Sequence, residues 1–265
     1  MATDLTVRPR RFGLEVLLVL GVSLGESAVY SALRIVERLT RPEPLSQQTT
    51  TMNASVVPDR PWLDLAYQLA NLAFPLVPVA LALYLLAVVA GPPVWPGDDR
   101  WTGPGQRIGF DLSRPGFDSG RGFLVAAGVG IPGLAFYLIA RDVGINTNVS
   151  PANLAEHWWT VPVYVLAAAM NGVLEEVLML GYLFVRLRQV GWSWGLIVVV
   201  SAVARGAYHL YQGFGGFLGN LVMGLVFGWL FLRWRRVGPL VVAHTLLDIA
   251  AFVGYAALAG RVGWL

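Results

Sequence analysis

The 265-residue chain contains neither cysteine nor lysine, so all 19 of its basic residues are arginine. Without cysteine there is no disulfide, no thiolate nucleophile, no iron–sulfur cluster and no cysteine-type zinc site. The all-arginine bias reads as the coding composition of a genome and carries no chemical argument. Charge is also scarce: 13% of residues are charged and the net charge is +3, dispersed over loops. That pattern suits ordinary topology control and implies no nucleic-acid partner. Histidine occurs three times, which makes the place of each one informative.

What the chain has in excess is apolar surface. With 56% hydrophobic residues and a mean hydropathy of +0.60, it is too apolar to keep its surface in water. The expected fold is all-α, a polytopic membrane bundle forming a single domain over 1–265. At about 20 residues per span, the length allows six to eight spans, and seven are predicted. They cover Gly13 to Ala32, Leu65 to Ala90, Gly122 to Ala140, Val161 to Val185, Trp194 to Tyr211, Gly215 to Leu232 and Pro239 to Ala259. Pro75 and Pro78 predict a kink in the second. In the sixth, Gly216, Asn220, Gly224 and Gly228 recur every four residues, a face that lets another helix approach closely.

The polar connections are Leu33 to Pro61, Gly91 to Arg121, and Arg141 to Thr160. Arginines place the N-terminus in the cytoplasm, because seven spans then put twelve of them inside and six outside, with Arg205 inside the fifth span. Glu15 reads as interfacial, Glu26 as a bystander, and His157, beside Trp158 and Trp159, as interfacial too.

The fourth span is anomalous, since its centre carries Asn171 and the adjacent Glu175 and Glu176. A charge at mid-bilayer costs about 2.5 to 3.5 kcal/mol even on the lenient insertion scale, so both carboxylates need partners on other helices. Candidates are Arg205 and His209, one turn apart on the fifth span, and His244 and Asp248, one turn apart on the seventh. Successive helical residues diverge by about 100°, so one glutamate is expected to act and the other to brace. The set admits two ways of activating water. In one, His209, His244 and Asp248 hold a divalent metal such as Zn²⁺ and a glutamate takes the proton. In the other, a glutamate and His209 polarise water directly and His244 stabilises the oxyanion.

The stretches Glu175-Glu176-Val-Leu-Met-Leu180-Gly181-Tyr-Leu, Arg205-Gly-Ala-Tyr-His209 and His244-Thr-Leu-Leu-Asp248 resemble the three membrane-embedded motifs of the CPBP (ABI) family. That family includes CAAX prenyl endopeptidases and bacteriocin-processing or immunity proteins. The resemblance covers 161–254, the expected catalytic core. It implies an intramembrane endopeptidase of a bacterial plasma membrane with a peptide or membrane-protein substrate. Glu175 would be the general base, Glu176 the bracing carboxylate, His209 an assistant or metal ligand, and His244 the residue that completes the site. Three positions depart from the pattern: Leu180 replaces an arginine, Arg205 a phenylalanine and Asp248 an asparagine. Arg205 is expected to supply the charge missing at 180 by pairing with Glu176 or Asp248, and Asp248 favours metal, since an ionised carboxylate donates no hydrogen bond to an oxyanion.

Other classes stay open beside the enzyme. The polar residues could be helix glue. The chain could be a catalytically weak or silent relative acting as an immunity, scaffold or partner-binding protein. An ion-coupled transporter is disfavoured by the lack of an internal repeat. If the enzyme reading holds, Glu175, His209 and His244 share one polar cavity, expected to open toward the cytoplasm.

Overall fold

A computed structural model of the chain describes residues 9–89, 91–95, 103–259 and 261–262. Arg8 and Arg100, counted above for orientation, lie outside the described residues. The chain folds as helices α1 (Pro9–Gly21), α2 (Leu24–Leu39), α3 (Pro61–Ala73), α4 (Leu76–Val88), α5 (Pro104–Arg107) and α6 (Pro115–Asp142). There follow α7 (Thr160–Glu176), a π-helical stretch Val177–Tyr182, α8 (Leu183–Val190), α9 (Trp194–Tyr208), α10 (Phe214–Trp234) and α11 (Gly238–Leu258).

Five helical stretches are long and apolar enough to cross a membrane: Pro61–Val88, Pro115–Asp142, Thr160–Val190, Phe214–Trp234 and Gly238–Leu258. A sixth arises if α1 and α2, bent by 57°, form one broken span. The break has a local cause. Ser23 Oγ donates to the Val19 carbonyl at 2.7 Å, competing with the helix for that acceptor. The remaining expected span falls short, because α9 has 15 residues and its α-helix stops at Tyr208. Elsewhere the boundaries shift: α6 starts at Pro115, seven residues before the expected Gly122, and the proline kink separates α3 from α4 at Phe74 and Pro75. Leu17, Phe74 and Ile131 are more than two-thirds exposed, as a surface facing lipid rather than water allows.

Contacts sort the molecule into two ends. At one end Glu15 accepts from Arg186 Nε at 2.7 Å, and Arg186 also donates to the carbonyls of Val89 and Leu85. Trp95 stacks on Trp194 there. Beside them Arg236 bonds Asp118 and Asp111. Burial would raise the Asp111 carboxyl, but hydrogen bonds from Ser113 and Arg236 hold it below its usual range. At the far end two short strands, β1 (Thr49–Thr51) and β2 (Asn148–Ser150), pair in parallel and join connections that the sequence reads as plain loops. Thr147 and Tyr255 are tied to the same end through Gln212 and Ser150. The chain passes between these ends from each helical segment to the next, with α7, the π stretch and α8 at the centre. The side chains from Val177 to Arg186 are all buried.

Glu15, which the sequence reads as interfacial, also has a structural partner. Its carboxylate neutralises the fully buried Arg186 and also accepts from Tyr182 Oη at 2.9 Å, so it locks α1 to α8.

Candidate active site

Three helices meet around one guanidinium. α10 packs on α9 because a Cβ on Gly224 would lie 2.8 Å from Ala202 Cα and 3.3 Å from Arg205 Cδ. Gly224, one position of the four-residue stripe, thus leaves room for Arg205 between the two helices. α11 packs on α7 at Gly172, where a Cβ would stand 2.7 Å from Thr245 Oγ1 and 3.0 Å from the Val241 carbonyl. That close approach sets His244 opposite Glu176.

Arg205 is fully buried. Its Nη2 donates to both oxygens of Glu176 at 2.8 Å, and its Nη1 donates to Glu175 Oε2 at 3.1 Å. The expected pairing with Glu176 is present, and Glu175 joins it. Both adjacent carboxylates therefore reach one group despite the angle between them, because the guanidinium offers separate donor edges and each glutamate has three rotatable bonds. Glu176 Oε1 also accepts from His244 Nδ1 at 2.6 Å, while His244 Nε2 lies 3.8 Å from Asp248 Oδ1. Asp248 Oδ2 accepts from Asn171 Nδ2 at 2.8 Å, so Asn171 and Asp248 form the outer edge of the cluster. His209 caps α9 and points Nδ1 at the Arg205 carbonyl, 3.0 Å away. A carbonyl only accepts, so Nδ1 carries the proton and the neutral ring presents a lone pair at Nε2.

Sequence reasoning missed two contributors. Tyr208 is buried and donates from Oη to Glu175 Oε2 at 2.7 Å; its place three residues after Arg205 was the available signal. Immediately after Glu176 the chain takes its π-helical turn. Ser201 Oγ donates to the Met179 carbonyl within that turn at 2.9 Å. No feature of Val177 to Tyr182 as a string announces the change of pitch.

Glu175 is consequently asymmetric. Its Oε2 takes two hydrogen bonds, whereas its Oε1 accepts none among the described residues. Glu176 has no such freedom.

The metal set expected from sequence was His209, His244 and Asp248. Among the described residues, the acidic and histidine side chains with ligand atoms within 4.8 Å of one another are Glu175, Glu176 and His244, a group that excludes His209 and Asp248. This spacing could hold a divalent ion. The donors as bonded do not fit one: Arg205 and His244 engage both oxygens of Glu176, and Arg205 brings a positive charge against both carboxylates.

A cavity of about 220 Å³ ends at Asn171 and is lined by Asn53, Gln68, Asn71, Leu154 and Met170 among others. Asn53 and Leu154 belong to the far-end connections, so this cavity opens away from the arginine-rich end. It is distinct from the cavity expected around Glu175, His209 and His244, since none of those three side chains lines it.

No curated protein and no solved structure matches the chain. Residues 157–250 match the family model described as type II CAAX prenyl endopeptidase Rce1-like. Glu175, Glu176, Arg205, His209, His244 and Asp248 all fall inside that stretch, so the part of this integral membrane protein that carries the candidate site is similar to the type II CAAX prenyl endopeptidases.

Proposed function

We propose that the chain is an intramembrane endopeptidase in which Glu175 Oε1 is the general base for the attacking water. The observation that carries this is the asymmetry of Glu175. A base needs one oxygen free to take a proton and a fixed orientation in which to take it. Arg205 and Tyr208 hold Oε2, which aims Oε1 away from them. Water held at Oε1 loses a proton to it as the oxygen attacks the scissile carbonyl, and the same proton passes to the leaving amine when the C–N bond breaks. Glu176 does not take part in proton transfer. It anchors Arg205 and, by accepting from Nδ1, fixes the ring of His244 with Nε2 turned toward Asp248. His209 Nε2 shares the polarisation of water, and Asp248, held by Asn171, orients His244 from the other side.

The substrate on this reading is a peptide or membrane-protein segment. The cavity lining combines the amides of Asn53, Gln68, Asn71 and Asn171 with apolar side chains and no charge, which suits an uncharged extended segment whose backbone finds hydrogen-bond partners. A membrane proteome from cells making wild-type protein, compared with one from cells making Glu175→Gln, tests the assignment. The expected outcome is one or more precursors accumulating uncleaved with Glu175→Gln, a rate loss on the order of 10² to 10⁴. Identical proteomes would mean that the chain is a silent relative that binds without cleaving.

A further inference from the structure

The oxygens of Glu175 and Glu176 and the imidazole of His244 make a compact donor set in a low-dielectric interior. Two carboxylates so placed require a cation between them, and in this chain the cation is a side chain. We propose that the Arg205 guanidinium occupies the position a divalent ion would take, and that removing it turns Glu175, Glu176 and His244 into a metal site.

Three observations support this. First, the guanidinium contacts both carboxylates at once, with hydrogen bonds of 2.8 to 3.1 Å; a divalent ion there would lose these oxygens to Arg205 and be repelled by its charge. Second, Arg205 Nε is buried and has no hydrogen-bond partner, so the side chain is held by charge at its far edge rather than by a complete set of bonds along its length. Third, a carboxylate that could serve as the outer partner of a ligating histidine stands close by, beyond hydrogen-bond distance. His244 faces Asp248 Oδ1 through Nε2 at 3.8 Å, and Asp248 is itself held by Asn171. A ligating histidine commonly uses its second nitrogen in this way. The ligand class is a divalent ion that accepts carboxylate oxygen and imidazole nitrogen, Zn²⁺ or Co²⁺.

The inference deepens the proposed site but is read by metal uptake, so its failure and the failure of the protease reading are separable. Wild type, Arg205→Ala, Arg205→Gln and Arg205→Ala with His244→Ala are expressed with and without added Co²⁺, purified in nanodiscs, and assayed for bound cobalt and its visible absorption. Wild type is expected to hold no cobalt at this site, and chelation should leave its melting temperature unchanged. Arg205→Ala, Arg205→Gln or both should bind about one cobalt per chain, with affinity at least on the order of a hundredfold above wild type, and His244→Ala should abolish it. Removing the guanidinium leaves buried carboxylates uncompensated, so a variant that accumulates only when metal is supplied has been rescued by it, and such rescue supports the proposal. It is overturned if wild type carries cobalt that the double variant Arg205→Ala with His244→Ala lacks. It is equally overturned if neither single variant gains cobalt or is rescued by it.

Discussion

Asp248 is the residue at which chemistry and shape separate most cleanly. Replacing it with asparagine keeps the side-chain outline, retains an oxygen to accept from Asn171, and presents an amide N–H toward His244 Nε2. With Arg205 as the site's cation, Asp248→Asn should leave peptide cleavage within about threefold of wild type or raise it, on the scale of one modest hydrogen bond. A loss of about 10- to 100-fold accompanied by loss of bound metal would instead mark Asp248 as part of a metal shell. Tyr208→Phe probes the other side of the base. It removes one of the two hydrogen bonds that fix Glu175 Oε2, a bond to a charged group worth about 1.5 to 3 kcal/mol. Cleavage should therefore fall roughly tenfold or more while Arg205 still holds the carboxylates together. Unchanged kcat in a folded Tyr208→Phe protein would show that Arg205 orients Glu175 alone.

Among the helices, the contact of α7 with α11 carries the most consequence, because it sets the distance between Glu176 and His244. Gly172 permits it. A methyl group there meets Thr245 Oγ1 and the Val241 carbonyl, and overpacking of this kind costs about 1 to 3 kcal/mol. Gly172→Ala should lower the melting temperature and reduce activity by a larger factor than the lost stability explains, since α11 must move and His244 with it. Adding Thr245→Ala removes the shortest of the three close contacts and should restore part of both. Equal damage in the single and double variants would place the strain at the backbone, the Val241 carbonyl and the Thr245 nitrogen. The π-helical turn acts on the same helix from the other direction. Ser201 bonds the Met179 carbonyl within it, so α9 is fastened to the turn directly behind the glutamates.

For the whole molecule, the question is which end faces the cytoplasm. The absence of cysteine lets the molecule answer directly. Single cysteines at exposed positions, Val56 near the far end and Leu112 near the arginine-rich end, should react oppositely with a membrane-impermeant maleimide applied to intact cells. The arginine distribution predicts that Val56→Cys labels from outside and Leu112→Cys does not. The reverse result would invert the orientation and put the Asn171 cavity on the cytoplasmic side.

The membrane class and the bundle were legible because composition over hundreds of residues averages out local accidents. The chemical residues were legible because the bilayer makes every buried charge costly, so Glu175, Glu176, Arg205 and His244 stand out against an apolar background without knowledge of their partners. What the string could not disclose was which charges meet. The sequence offered Glu176 or Asp248 to Arg205, assigned Glu15 to the interface, and grouped His209 with His244 and Asp248 around a metal. Tertiary structure chose Glu176 for Arg205 and added Glu175, gave Glu15 a partner in Arg186, and grouped His244 with the two glutamates instead of with His209 and Asp248. Helix tilt, the two glycine contacts and the π-helical turn set interhelical distances to within an ångström, and hydrogen bonds and coordination depend on distance at that scale. Periodicity assigns a residue to a helical face, but only packing determines which atom on the neighbouring helix that face meets.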